Sequence, residues 1–133
     1  LTAAGWVEDG EGIRGWGASR AEAFAQVTLG VFARLVAPDA IEPRERREVR
    51  AQAAGAEALL ASWIDECLYV HEIEGFVARA VELTVCTDTL AHGVLTGEPV
   101  DPARHRVGRV AARPSATTLC RQGVHEARIA VAG

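Results

Sequence analysis

The stretch DGEGIRGWGASRAEAF, Asp9 to Phe24, admits two readings of how this chain begins to fold. Gly10, Gly12 and Gly15 have the G-x-G-x-x-G spacing that cradles a dinucleotide pyrophosphate, while Asp9 and Glu11 beside them offer oxygen ligands to a cation. A pyrophosphate cradle needs a strand before the glycines and a helix that opens at the third one. Here the helix start lies further on. Ser19 followed by Glu22 is a capping box, in which hydroxyl and carboxylate each satisfy an orphan backbone N–H. The spacing therefore predicts a glycine-bearing turn, a short strand over Ile13 to Trp16 and a helix from about Arg20, and it excludes a dinucleotide site.

Outward from that stretch, hydrophobic periodicity divides the chain. Phe24, Val27, Val31, Phe32 and Leu35 form the buried stripe of the first helix, with Pro38 just past its end. Ile41 to Glu45 is a linker into a polar strand over about Arg46 to Ala53, and Gly55 ends it. A second helix is expected from about Ala56 to Val70, with Leu59, Leu60, Trp63, Ile64, Cys67 and Leu68 inward and Glu74-Gly75 as its break. The remainder reads as β. Val81, Leu83 and Val85 alternate, Asp88-Thr89 turns the chain, and Leu90 to Thr96 returns before Gly97-Glu98-Pro99 interrupts. Asp101 to His105 is a short helical turn. Three final strands are expected at Val107 to Ala112, Ala116 to Arg121 and Val124 to Val131, the last two joined by a hairpin at Gln122-Gly123. The sum is α+β, a two-layer sandwich of two helices on one mostly antiparallel sheet, as a single domain over 1–133.

Composition narrows the chemistry. The 133 residues are 49% hydrophobic, enough for a real core, and carry a net charge of −4, which argues against a dominant nucleic-acid face. All 14 basic residues are Arg, so Schiff-base catalysis by lysine is excluded. The 3 cysteines, 67, 86 and 120, are an odd number without tight spacing, which favours a reduced, cytoplasmic setting over a disulfide framework. No apolar run is long enough for a membrane span. The chain lacks Met, so Leu1 is not expected to be a translation start.

Individual motifs point mostly to structure. Cys67 and His71 share a helix face, but no second ligand pair accompanies them, and Cys67 belongs to the apolar stripe. His92, His105 and His125 are scattered over strands and loops. Ser19 is committed to a cap, and no G-x-S-x-G elbow or P-loop is present. Arg44 to Glu48 mixes both charges, as a solvated strand face does. Glu8, Asp9 and Glu11 crowd one turn, an arrangement that suits a hard cation such as Ca²⁺ or Mg²⁺ or simply faces water.

Four ordered blocks resemble the archease family, small proteins that assist the tRNA-splicing RNA ligase. They are GIRGWGASRAEAF (Gly12 to Phe24), IEPRERREV (Ile41 to Val49), EALLASWIDECLYV (Glu57 to Val70) followed by Glu74-Gly75, and GEPVDPARHRVG (Gly97 to Gly108). The resemblance implies a non-catalytic accessory factor that promotes guanylylation and turnover of an RNA ligase protein, with RNA contact indirect or weak. That ligase joins 2′,3′-cyclic or 3′-phosphate ends to 5′-hydroxyl ends with GTP and a divalent metal. The resemblance also implies a divalent-cation site built from carboxylates, one in an N-terminal His-Thr-Ala-Asp turn and one beside the end of the last strand.

At those places this sequence departs from the family. Gly10 stands where the first Asp is expected, Ala132 where the second is, and Val110, Ala111 and Ala112 replace a Glu-Val-Lys. Asp9 is then the remaining metal ligand, and it serves only if the turn carries one extra residue. Arg113 is one residue from the lysine position, and arginine is not equivalent to lysine at a working site. A site with few carboxylates cannot offset the dehydration of a divalent cation. The alternative is a diverged module on the same scaffold that has lost the cation site and serves another protein partner. A stand-alone hydrolase rests only on unassigned His and Asp residues.

Overall fold

In the computed structural model, which describes residues 3–132, the opening stretch is a hairpin followed by a capped helix. Strand β1 (Gly5–Asp9) pairs antiparallel with β2 (Gly12–Gly17), Asp9 opposite Gly12, so Gly10 and Glu11 form a two-residue loop. Gly10 has φ +63°, a left-handed value that side chains resist. Glycine at the first loop position with an ordinary second residue is the pattern of a II′ hairpin turn. Sequence reading placed the turn correctly but missed β1.

Helix α1 (Arg20–Leu35) starts as the capping box requires. Ser19 Oγ accepts from the Glu22 N–H at 3.1 Å, while the Glu22 carboxylate reaches back to the N–H of Ala18 at 3.0 Å. Its expected stripe, Phe24 to Leu35, is buried throughout. After a 3-10 turn (Pro38–Ala40) come β3 (Glu45–Gln52) and α2 (Ala56–Glu74). Helix α2 runs four residues past the expected Val70 and ends at Gly75 in the left-handed conformation, a standard helix stop. All six of its predicted apolar residues are inward. The helices are linked in the interior, where Trp63 Nε1 donates to Thr28 Oγ1 at 2.8 Å and that hydroxyl donates to the Phe24 carbonyl at 2.6 Å.

Strands β4 (Phe76–Cys86), β5 (Leu90–Pro99), β6 (Ala111–Arg121) and β7 (Val124–Ala132) complete the chain. The class is α+β as expected, but the strands form two antiparallel sheets rather than one: β1-β2-β7-β6 and β3-β5-β4. Three local readings also change. Gly97-Glu98-Pro99 does not interrupt β5. Gly97 lets β4 approach, since a Cβ there would lie 1.9 Å from the Val77 carbonyl oxygen. Register shifts bend β4 between Leu83 and Val85, so Val85 turns outward while Leu83 stays buried. Val107 to Val110 is not a strand; β6 begins at Ala111 and runs through a register shift between Ala112 and Ala116. Pro114, which has no N–H to donate, falls within that shift. Among the described residues no helix is long and apolar enough to cross a membrane.

Candidate functional site

Two residue clusters carry the sequence features singled out above. The first lies where the β1–β2 turn meets the end of β7. Gly12 pairs with Ala130, and the Val131 N–H donates to the Glu11 carbonyl at 2.9 Å. Gly10 lies in the turn just before this pairing, and Ala132 lies just beyond it at the end of β7. The two positions where the resemblance expects carboxylates thus fall at the same end of the β2–β7 pair, and neither bears one. Glu8 does not join them, because its carboxylate pairs with Arg34 at 2.8 Å.

Asp9 sits at this junction, and its neighbours are cationic. Arg128 on β7 lies across the sheet from Arg14 on β2, both on the outer face. The Arg128 guanidinium donates to the Asp9 carbonyl at 2.8 Å and to its carboxylate at 3.3 Å, and Arg14 Nε stands 3.6 Å from the same carboxylate oxygen. Gly12 makes room for this arrangement. A Cβ there would meet Arg128 Cζ and Nη2 at 2.8 Å. Gly12 therefore seats a guanidinium, not a phosphate, while Gly15 lets the backbone of α1 approach. A hard dication needs several uncommitted oxygens. Here the Asp9 carboxylate is shared by two guanidinium groups and neither Gly10 nor Ala132 adds another, so the residues present do not fit the implied cation. Among the described residues no three His, Cys, Asp or Glu side chains converge as metal ligands.

Beside this junction opens a cleft of about 480 Å³ whose walls include Leu35, Val110, Ala111 and Ala132, with His71 and Glu72 at its α2 side. Positions 110, 111 and 132 are three of the places where this sequence departs from the family pattern. Their convergence leaves a largely apolar wall that suits a hydrocarbon group better than an ion. The side chain of Arg113, one residue from the lysine position, lies outside the described residues. His71 does not pair with Cys67 as a metal ligand; its Nδ1 hydrogen-bonds the Phe76 carbonyl at 3.0 Å, and Cys67 is buried.

The second cluster explains the GEPVDPARH block. Glu98 is fully buried at the end of β5. Its carboxylate accepts from the Glu42 N–H at 2.7 Å, from Arg44 at 3.0 Å and from Arg104 at 2.7 Å. His105 Nδ1 accepts from the Asp101 N–H at 2.9 Å, which leaves the proton on Nε2 to face the Ala40 carbonyl at 2.8 Å and Glu98 at 3.1 Å. The Arg104 hydrogen bond, then the Glu42 N–H, hold the Glu98 carboxyl at about 2, below the usual 4.5. One buried charge thus ties together the segment before β3, the end of β5 and the turn after it. No local sequence signal assigns this role to Glu98, because most of its partners lie in distant segments.

These features define a small α+β protein of two antiparallel sheets and two helices, with a guanidinium-seated turn at one end of β7 and a carboxylate-centred clasp after β5. The Archease protein family matches residues 11–127, and the chain belongs to that family. The archease of Thermococcus kodakarensis is 35% identical over 97 residues, covering 71% of this chain and 68% of the relative. That of Methanopyrus kandleri is 30% identical over 96 residues, covering 70% and 69%. The solution structure of Methanobacterium thermoautotrophicum protein 1598 superposes with a TM-score of 0.69 over 97% of each chain at 22% identity, which speaks to the fold.

Proposed function

We propose that this chain is a non-catalytic, cytoplasmic accessory protein that promotes guanylylation and turnover of a tRNA-splicing RNA ligase, acting through protein–protein contact as a single domain. The reading rests on family membership over residues 11–127. The test is a ligation assay with limiting ligase and excess RNA ends. Addition of this protein should convert a single round of joining into repeated rounds and raise the guanylylated fraction. Unchanged turnover and guanylylation would reject the reading for that ligase.

A second reading has an observation of its own. Neither Gly10 nor Ala132 bears a carboxylate, and Asp9 is ion-paired to Arg128 and Arg14. This favours a diverged module on the same scaffold that has lost the cation site and serves another protein partner. Calorimetric titration with Ca²⁺ separates the cases: micromolar binding abolished by Asp9→Ala would mean a retained cation site, whereas no heat is expected here.

A further inference from the structure

Cys120 and His125 face each other near the tip of the β6–β7 hairpin. The loop has two residues, Gln122 and Gly123, with φ of 53° and 80°, the primed turn that matches strand twist. Arg121 and Val124 flank it as the first cross-strand pair, and Cys120 opposite His125 is the next. Antiparallel pairs alternate in their backbone bonding, and the pair after the loop-flanking one brings its side chains closer together. Cys120 Sγ accordingly lies 3.6 Å from His125 Nε2. The thiol is exposed and fronts a pocket of about 130 Å³ that Arg20 and Glu126 also line.

We propose that Cys120 is a base-assisted nucleophilic thiol, a modification site for low-molecular-weight disulfides. His125 Nε2 takes the thiol proton while the sulfur attacks one sulfur of the disulfide. A new S–S bond forms to Cys120, the reagent's S–S bond breaks, and the departing thiolate takes the proton from the imidazolium. Protein thiol and disulfide become mixed disulfide and free thiol, with no other reactant. The base role requires Nε2 as the accepting nitrogen, with the ring proton on Nδ1. Among the described residues, Arg20 and Glu126 are the charged groups that line the pocket. Arg20 of α1 is ion-paired to Asp88, Glu126 of β7 faces Arg14, and Glu57 of α2 accepts from the Thr118 N–H. Arg20 stands on the pocket wall, where a carboxylate-bearing reagent would meet it. The other thiols lack these conditions. Burial pushes Cys67 well above the ordinary thiol range, and half-buried Cys86 is pushed to about 11.

The test is intact-mass kinetics of the whole chain with iodoacetamide and, separately, with glutathione disulfide. One adduct is expected on the folded protein, mapping to Cys120. His125→Gln should slow both reagents by roughly tenfold or more, consistent with loss of a positioned base. It should leave the rate in urea unchanged, which separates base assistance from misfolding. Arg20→Gln should slow the anionic disulfide but not the neutral iodoacetamide. Equal labelling of folded wild type and His125→Gln, or first labelling at Cys86, would overturn the proposal.

Discussion

Replacing Gly12 with alanine sets a methyl group 2.7 Å from the Ile129 carbonyl oxygen and 2.8 Å from Arg128 Cζ and Nη2. Two effects of opposite sign compete. Gly12 has no left-handed φ, so alanine is conformationally permitted and would gain about 0.4–1 kcal/mol by stiffening the unfolded chain. Against that, overpacking costs about 1–3 kcal/mol, and here one of the opposing atoms is backbone that cannot swing away. The clash should win, giving a net loss of about 1–2 kcal/mol and a fall in Tm of roughly 3–8 °C. A cycle with Arg128→Ala identifies the source. Arg128 and Asp9 are both partly exposed, so removing the guanidinium alone should cost only about 1 kcal/mol. In that background Gly12→Ala should cost about 0.5–1 kcal/mol less, because only the Ile129 carbonyl still resists the methyl. Urea unfolding with an unchanged slope would report all four stabilities. A rise in stability on Gly12→Ala, or a cost that is the same with and without Arg128, would refute the seating of the guanidinium on this turn.

The remaining expectations concern the clasp and the core. Glu98 titrates at about 2 in the folded protein against 4.5 ordinarily, so its stabilising contribution is present above pH 4.5 and is lost as pH falls towards 2. Glu98→Gln should lower stability at neutral pH and flatten its decline over that window, as pH-dependent urea midpoints would show. Gly97→Ala should cost about 3 kcal/mol, since the methyl would lie 1.9 Å from the Val77 oxygen, and reduced soluble yield with a lower urea midpoint would register it. Thr28→Val keeps the shape of the side chain but leaves the buried Trp63 N–H without its acceptor. A loss of about 1–3 kcal/mol by thermal or urea unfolding is expected.

The sequence by itself determined the features that are local in the chain. Both helices, their inward residues and the Ser19–Glu22 cap were legible, because a helix buries residues at a fixed spacing and its cap lies three residues from its partner. The four ordered blocks likewise pointed to the family without reference to any fold. The Gln122-Gly123 hairpin was read correctly, and its register already implied the Cys120–His125 pair, although that step needs the loop length as well as the turn residues. Only the tertiary structure decided what depends on distant partners. Residue spacing cannot divide seven strands between two sheets, because pairing is set by packing between elements rather than within them. It cannot distinguish a strand break from a close approach at Gly97, nor show that Glu98 joins the segment before β3 to the turn after β5. Asp9 and Arg128 are 119 residues apart, and no local signal connects them. Their ion pair, formed where β7 returns beside the first hairpin, is the physical reason that the acidic opening turn holds a guanidinium.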